Sequence, residues 1–170
     1  MPAHVAGQET KTLSLKQWLH SLRALQIIEV DLPQRDALRC FSWARTAVGD
    51  FQTTRGHFED THLPFEGFLE ALCRLAAQKA LPTEDEMRRA TKWGGDERAT
   101  ADVGAYLAQM RQLDPVRHAG LLAERALPWM EGTPTLGFDA RVQGIVDIFH
   151  QAVVDYEEGG GGKAQKFGVR

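Results

Sequence analysis

The densest gathering of chemically able side chains is His57-Phe-Glu-Asp-Thr-His62, two imidazoles and two carboxylates within six residues. Zinc accepts nitrogen and oxygen ligands, so a transition-metal site is one reading. The spacing matches no closed metal motif, and a solvated loop accounts for the same residues, so no metal is expected. Glu157-Glu-Gly-Gly-Gly-Gly-Lys163-Ala hints at a phosphate loop. Such a loop needs a preceding strand and a Ser or Thr after the lysine to hold magnesium. Here a helical pattern precedes and Ala164 follows, which favours a flexible linker. Ser14, Ser21 and Ser42 lie in no nucleophile elbow. Cys40 and Cys73 both sit in apolar helical patterns with no histidine beside them in sequence, and read as buried reduced thiols. No catalysis and no cofactor are expected.

The surroundings of these residues are those of an ordinary globular chain. At 170 residues there is length for one domain with a real core, or a domain and an appendage. A formal net charge of −3 gives no global attraction to nucleic acid or acidic lipid. No apolar run approaches bilayer length, and the first residues lack the apolar core of a secretory signal. The expectation is a cytoplasmic protein with neither nucleic acid nor membrane as partner.

The elements that must position these groups read as helices. Residues 1–12 are a polar arm. Leu15, Trp18, Leu19, Leu22 and Leu25 recur at helical spacing, with Ser14 as cap. Pro33 suits the first turn of a second helix with Asp31 as a possible cap, and Leu38, Phe41, Trp43 and Ala44 mark its buried side. Gly49 to His62 reads as a loop. Phe65, Phe68, Leu69, Leu72, Leu75 and Ala76 form one broad apolar face on a third helix. Thr83 and Glu86 make a capping box for a short helix ended by Gly94-Gly95. Further helices are expected over Ala101–Leu113, Val116–Leu127 and Asp139–Glu158. The organisation expected is an arm (1–12), a helical domain (13–90), a second helical segment (91–158) and a glycine-rich basic tail (159–170), all-α throughout.

Two segments share one shape: Leu13-Ser-Leu-Lys-Gln-Trp-Leu and Leu63-Pro-Phe-Glu-Gly-Phe-Leu. Each resembles the loop exit and second helix of an EF-hand. The resemblance implies that Leu13 pairs with Leu63 in a small two-stranded bridge, that Trp18 and Phe68 are equivalent anchors, and that the helix from Pro33 to Ala47 enters the second hand. A calcium loop needs oxygen ligands at its first, third and fifth positions, glycine at the sixth and a bidentate glutamate at the twelfth. Counted back from Leu63, those positions hold Gly56, Phe58, Asp60, Thr61 and Gly67. In the first loop they begin Ala6, Gln8 and Thr10 and end at Gln17. Neither loop can supply six to eight oxygens. A sensor with unconventional ligands, such as Asp50, Glu59 and Asp60, is the alternative.

Residues 12 to 90, with Ala37-Leu-Arg-Cys-Phe-Ser-Trp-Ala-Arg and His62-Leu-Pro-Phe-Glu-Gly-Phe-Leu-Glu-Ala-Leu-Cys, are similar to EF-hand-like segments of ciliary and flagellar axonemal proteins of the radial-spoke-associated type. That resemblance implies a structural or adaptor subunit of the axoneme that binds other axonemal proteins through an apolar groove without calcium. The partner would be an amphipathic helix of a larger subunit. The residues expected to meet it are Trp18, Phe41, Phe65, Phe68 and Leu72, with Trp93 and Trp129 as loop anchors.

Overall fold

A computed structural model describes residues 12–45, 53–90, 102–127 and 136–158. Along the chain come β1 (Leu13–Ser14), α1 (Leu15–Ala24), α2 (Gln34–Trp43), α3 (Thr54–Thr61), β2 (His62–Leu63), α4 (Phe65–Gln78), α5 (Glu84–Ala90), α6 (Val103–Leu113), α7 (Pro115–Arg125) and α8 (Phe138–Glu158). The described chain is mainly helical, as its periodicities require. No described helix is long and apolar enough to cross a membrane.

The two strands form one antiparallel pair in which Leu13 faces Leu63 and Ser14 faces His62. The pairing expected from the repeated segment is therefore present. Behind each strand a helix starts at once. Ser14 closes α1 with a capping box: its hydroxyl accepts from Gln17 N–H, and its own N–H donates to Gln17 Oε1 at 2.8 Å. Pro64 sits at the head of α4, where a missing N–H costs nothing.

The end of α1 is closed by a Schellman turn. Ile27 N–H reaches back to Leu22 C=O, Gln26 N–H reaches Arg23 C=O, and Gln26 takes φ 54°. Ile27 and Leu22 are both buried, as the hydrophobic contact of this turn demands. Asp31 does not cap α2. Pro33 holds that position with no side-chain hydrogen bond, and Asp31 turns inward to Ala80 N–H and Lys79 instead.

The loop expected over Gly49–His62 is a helix in its second half. Thr53 Oγ1 accepts from Gly56 N–H at 3.0 Å and starts α3, which runs straight into β2. The first six positions of the supposed calcium loop thus lie in a helix, whose carbonyls are turned along its axis rather than around an ion. The helix directly preceding β2 is α3, not the one from Pro33. Gly49 and Asp50 lie outside the described residues.

One continuous core joins the elements, from Trp18 and Leu22 in α1 through Phe41 in α2 and Leu75 in α4 to Tyr106 in α6 and Ile145 in α8. Trp18 is fully enclosed, and its indole N–H donates to Ala37 C=O at 2.9 Å. Phe68 stands between Trp18 and Phe149, edge-on to both at ring separations of 6.3 and 6.2 Å. Arg141 donates to Lys79 C=O at the other end of α4, so α8 lies antiparallel to α4. Gly67 is required by packing. A Cβ there would sit 3.0 Å from Ala44 C=O and 3.2 Å from Leu63. The position that the resemblance aligns with the bidentate glutamate of a calcium loop therefore has no room for a side chain.

Candidate partner-binding face and the charge cluster beneath it

The residues expected to meet a partner divide by depth. Trp18, Phe41 and Leu72 are buried in the chain's own core. Phe68 is partly buried between two aromatic neighbours. Phe65 remains 63% exposed, and Leu69, one turn on, is exposed beside it. Trp93 and Trp129 lie outside the described residues. What the resemblance presents as an open groove is covered by α8, which brings Ile145, Ile148 and Phe149 against the paired helices.

Three residues expected on buried faces are on the surface. Trp43 is 55% exposed in the last turn of α2, with the Arg74 guanidinium 5.8 Å from its ring centre. Phe65 and Leu69 are exposed because α4 carries apolar residues around more of its circumference than its neighbours can cover. Val146 and Val153 add apolar surface to α8. Cys73 is half-buried rather than enclosed, while Cys40 is enclosed, and burial, with Asp36 beside it, pushes the Cys40 thiol up to about 12. Neither cysteine is in a disulfide.

The feature that sequence reading missed lies at the ends of α1 and α4. Lys79, 1% exposed, donates to Asp31 Oδ1 at 2.9 Å and to Glu29 Oε2 at 2.8 Å. Asp31 Oδ2 accepts from Ala80 N–H at 2.8 Å. Arg111 of α6 reaches Glu29 Oε1 at 3.1 Å and also donates to the side-chain and main-chain oxygens of Gln26. Burial alone would raise the Glu29 carboxyl, but Lys79 and Arg111 outweigh it and hold it below the usual carboxylate range. His118 of α7 is buried with Nε2 3.6 Å from Glu29 and no hydrogen-bond partner there. Desolvation lowers its pKa, against the pull of Glu29. The cluster is electrically closed: two carboxylates face one ammonium and one guanidinium.

A cleft of about 250 Å³ adjoins it, bounded by Leu25, Gln26, Leu107, Arg111, Ile148 and Gln151 among others. Small-molecule sites usually run from roughly 300 to 1,000 Å³. Lys79 and Arg111 reach the cleft already saturated by Glu29, Asp31 and Gln26, so it offers no poised acid, base or nucleophile.

The His57–His62 string is drawn out along α3 and β2. His62 Nδ1 lies 3.1 Å from Phe58 C=O, and its ring stacks on Phe58 at 4.0 Å. The side chains of His57 and Glu59 lie outside the described set. Asp60 is bound by Arg45 at 2.5 Å, which ties up the one carboxylate that the resemblance aligns with a calcium-ligand position. Among the described residues no three His, Cys, Asp or Glu side chains converge on a possible metal site. Comparison with protein-family models, with curated proteins and with solved structures yields no match.

Proposed function

We propose that this chain is a non-catalytic adaptor of EF-hand-like construction that holds partner proteins without calcium, and that its place is the ciliary or flagellar axoneme. The observation that carries the first half of this reading is the pairing of Leu13 with Leu63, each directly ahead of a helix whose aromatic residue, Trp18 or Phe68, meets the other behind the bridge. That arrangement is what a pair of EF-hand exits produces. The metal-independent half is supported by the helical course of Thr54–Thr61, the engagement of Asp60 by Arg45, and the enclosed Gly67. The axonemal setting rests on the sequence resemblance over residues 12 to 90.

With the centre of the pair filled by α8, a partner's amphipathic helix would lie on what remains outside on these two packed helices, the exposed Phe65 and Leu69 of α4 and Val146 and Val153 of α8. The test is to follow a tagged copy through detergent stripping and salt extraction of cilia, with and without EGTA. Retention in the detergent-insoluble axoneme and EGTA-resistant co-release with a defined complex is the expected result. Absence from cilia overturns the axonemal setting. Micromolar calcium binding by calorimetry overturns the metal-free reading and restores the sensor alternative.

A further inference from the structure

α8 lies antiparallel on α4, with Arg141 at the Lys79 end and Phe149 on Phe68 near the other. The last turns of α8 therefore run past the first turns of α4, where Phe65 and Leu69 are exposed. Val153, also exposed, stands one turn beyond Phe149 on that stretch. Charge around this apolar patch is one-sided. Glu66 is exposed, neighbours Leu69 at a spacing of three residues, and makes no ion pair among the described residues. Arg74 is paired with Glu70, and Arg141 is buried. Neither helix holds another lysine or arginine.

We propose that residues 159–170 of the same chain fold back onto this patch, with Phe167 and Val169 against Phe65, Leu69 and Val153. The segment leaves α8 at Glu158, about 8 Å along the helix from Val153. The nine residues from Gly159 to Phe167 span up to about 30 Å when extended, so they reach the patch with chain to spare. Four successive glycines admit the positive φ that a reversal needs. Phe167 and Val169 stand two apart and so share one side of an extended strand. The charges of the segment are Lys163, Lys166 and Arg170, with no carboxylate side chain among them, opposite in sign to Glu66. A second copy of the chain fits less well. A standard interface takes roughly 20–30 residues a side, whereas a tethered segment needs few contacts because it acts at an effective concentration in the millimolar range. The cover occupies the face that would receive a partner helix, so its role as a placeholder displaced by that helix rests on the adaptor reading; the contact itself does not.

The test is a methyl-labelled NOE spectrum of the full chain, recorded dilute and again at tenfold higher concentration. Cross-peaks from the Phe167 ring to the Leu69 and Val153 methyls are expected at both. Phe167→Ser with Val169→Ser should abolish them and shift both methyl resonances, and Glu66→Lys should weaken them; Ala164→Ser should leave them unchanged. The serine substitutions touch none of the described helices, so loss of fold does not mimic the result. Missing cross-peaks in the parent chain, with the Leu69 and Val153 methyls unmoved by the double substitution, overturn the proposal. Cross-peaks that appear only at the higher concentration overturn it in favour of a second copy. Undiminished cross-peaks in Glu66→Lys overturn the charge pairing that selects this segment. Absence of the chain from cilia would overturn the adaptor reading while the cross-peaks stood, so the two failures are seen separately.

Discussion

Glu29 and Lys79 stand fifty residues apart in the chain and meet at 2.8 Å. The same interval separates Leu13 from Leu63, which pair in the bridge, and Trp18 from Phe68, which meet in the core. The likeness of the two segments therefore extends from the strand through its helix to a charged residue beyond it, Glu29 in the connector after α1 and Lys79 directly after α4. The two segments meet at the bridge, at the aromatic anchors and at an ion pair of opposite sign.

Replacing Lys79 with Met should be the most damaging single change in this cluster. It leaves Asp31 enclosed without a cation, a loss of about 3–5 kcal/mol for a broken buried pair. Lys79→Met combined with Asp31→Leu should recover a large part of that loss, because no uncompensated charge remains. Urea denaturation of the parent chain and the two variants checks both statements.

Stability should fall as pH drops below neutrality, in two stages. His118 has a folded pKa below its ordinary value, so the unfolded chain takes up that proton first and gains on acidification from about 6.5 downward. Glu29 and Glu86 have folded pKa values below the usual range. Their contribution is complete above the unfolded carboxylate value and is lost as pH falls through the folded one. Urea midpoints from pH 8 to 3 should show both stages, and His118→Gln should flatten only the first.

Gln26 offers a stabilising substitution. Its φ of 54° lies where a side chain is strained and glycine is not. Gln26→Gly relieves about 1 kcal/mol of that strain, less the exposed side-chain contact with Arg111. A higher urea midpoint is expected; a lower one would mean that the Arg111 contact outweighs the strain.

Two glycine-to-alanine changes should move in opposite directions. At Gly67 the new methyl meets a main-chain carbonyl at 3.0 Å, an overpacking worth about 1–3 kcal/mol of destabilisation. At Gly120, an exposed position of α7, nothing lies within 4 Å, and alanine should stabilise by up to about 1 kcal/mol through helix propensity. Thermal melts of the two variants decide the contrast.

Much of the architecture was legible because local rules and burial agree. The helical spacing of Trp18 and Leu22, the Ser14 cap, the Thr83–Glu86 capping box and the helix expected within Ala101–Leu113 all appear in the structure where the pattern puts them. The α3 helix was hidden because its residues have little apolar periodicity, and its start depends on one threonine cap. Trp43, Phe65 and Leu69 follow helical spacing, but exposure depends on what neighbouring helices can cover, which periodicity does not encode. The charge cluster was invisible because its members come from four separate stretches. A faint signal existed in the similar strings Asp31-Leu-Pro and Lys79-Ala-Leu-Pro, each of which puts a charged residue ahead of a Leu-Pro pair after one of the two related helices.

The antiparallel seat of α8 on α4 also sets an order of events at the ribosome. Phe68 and the Lys79 carbonyl wait for Phe149 and Arg141, which emerge some seventy residues later. At a synthesis rate of roughly 5–20 residues per second, the newborn first half spends several seconds with that flank uncovered. For that interval the nascent chain shows any bystander, chaperone or neighbour alike, an aromatic surface that the finished protein keeps for its own α8.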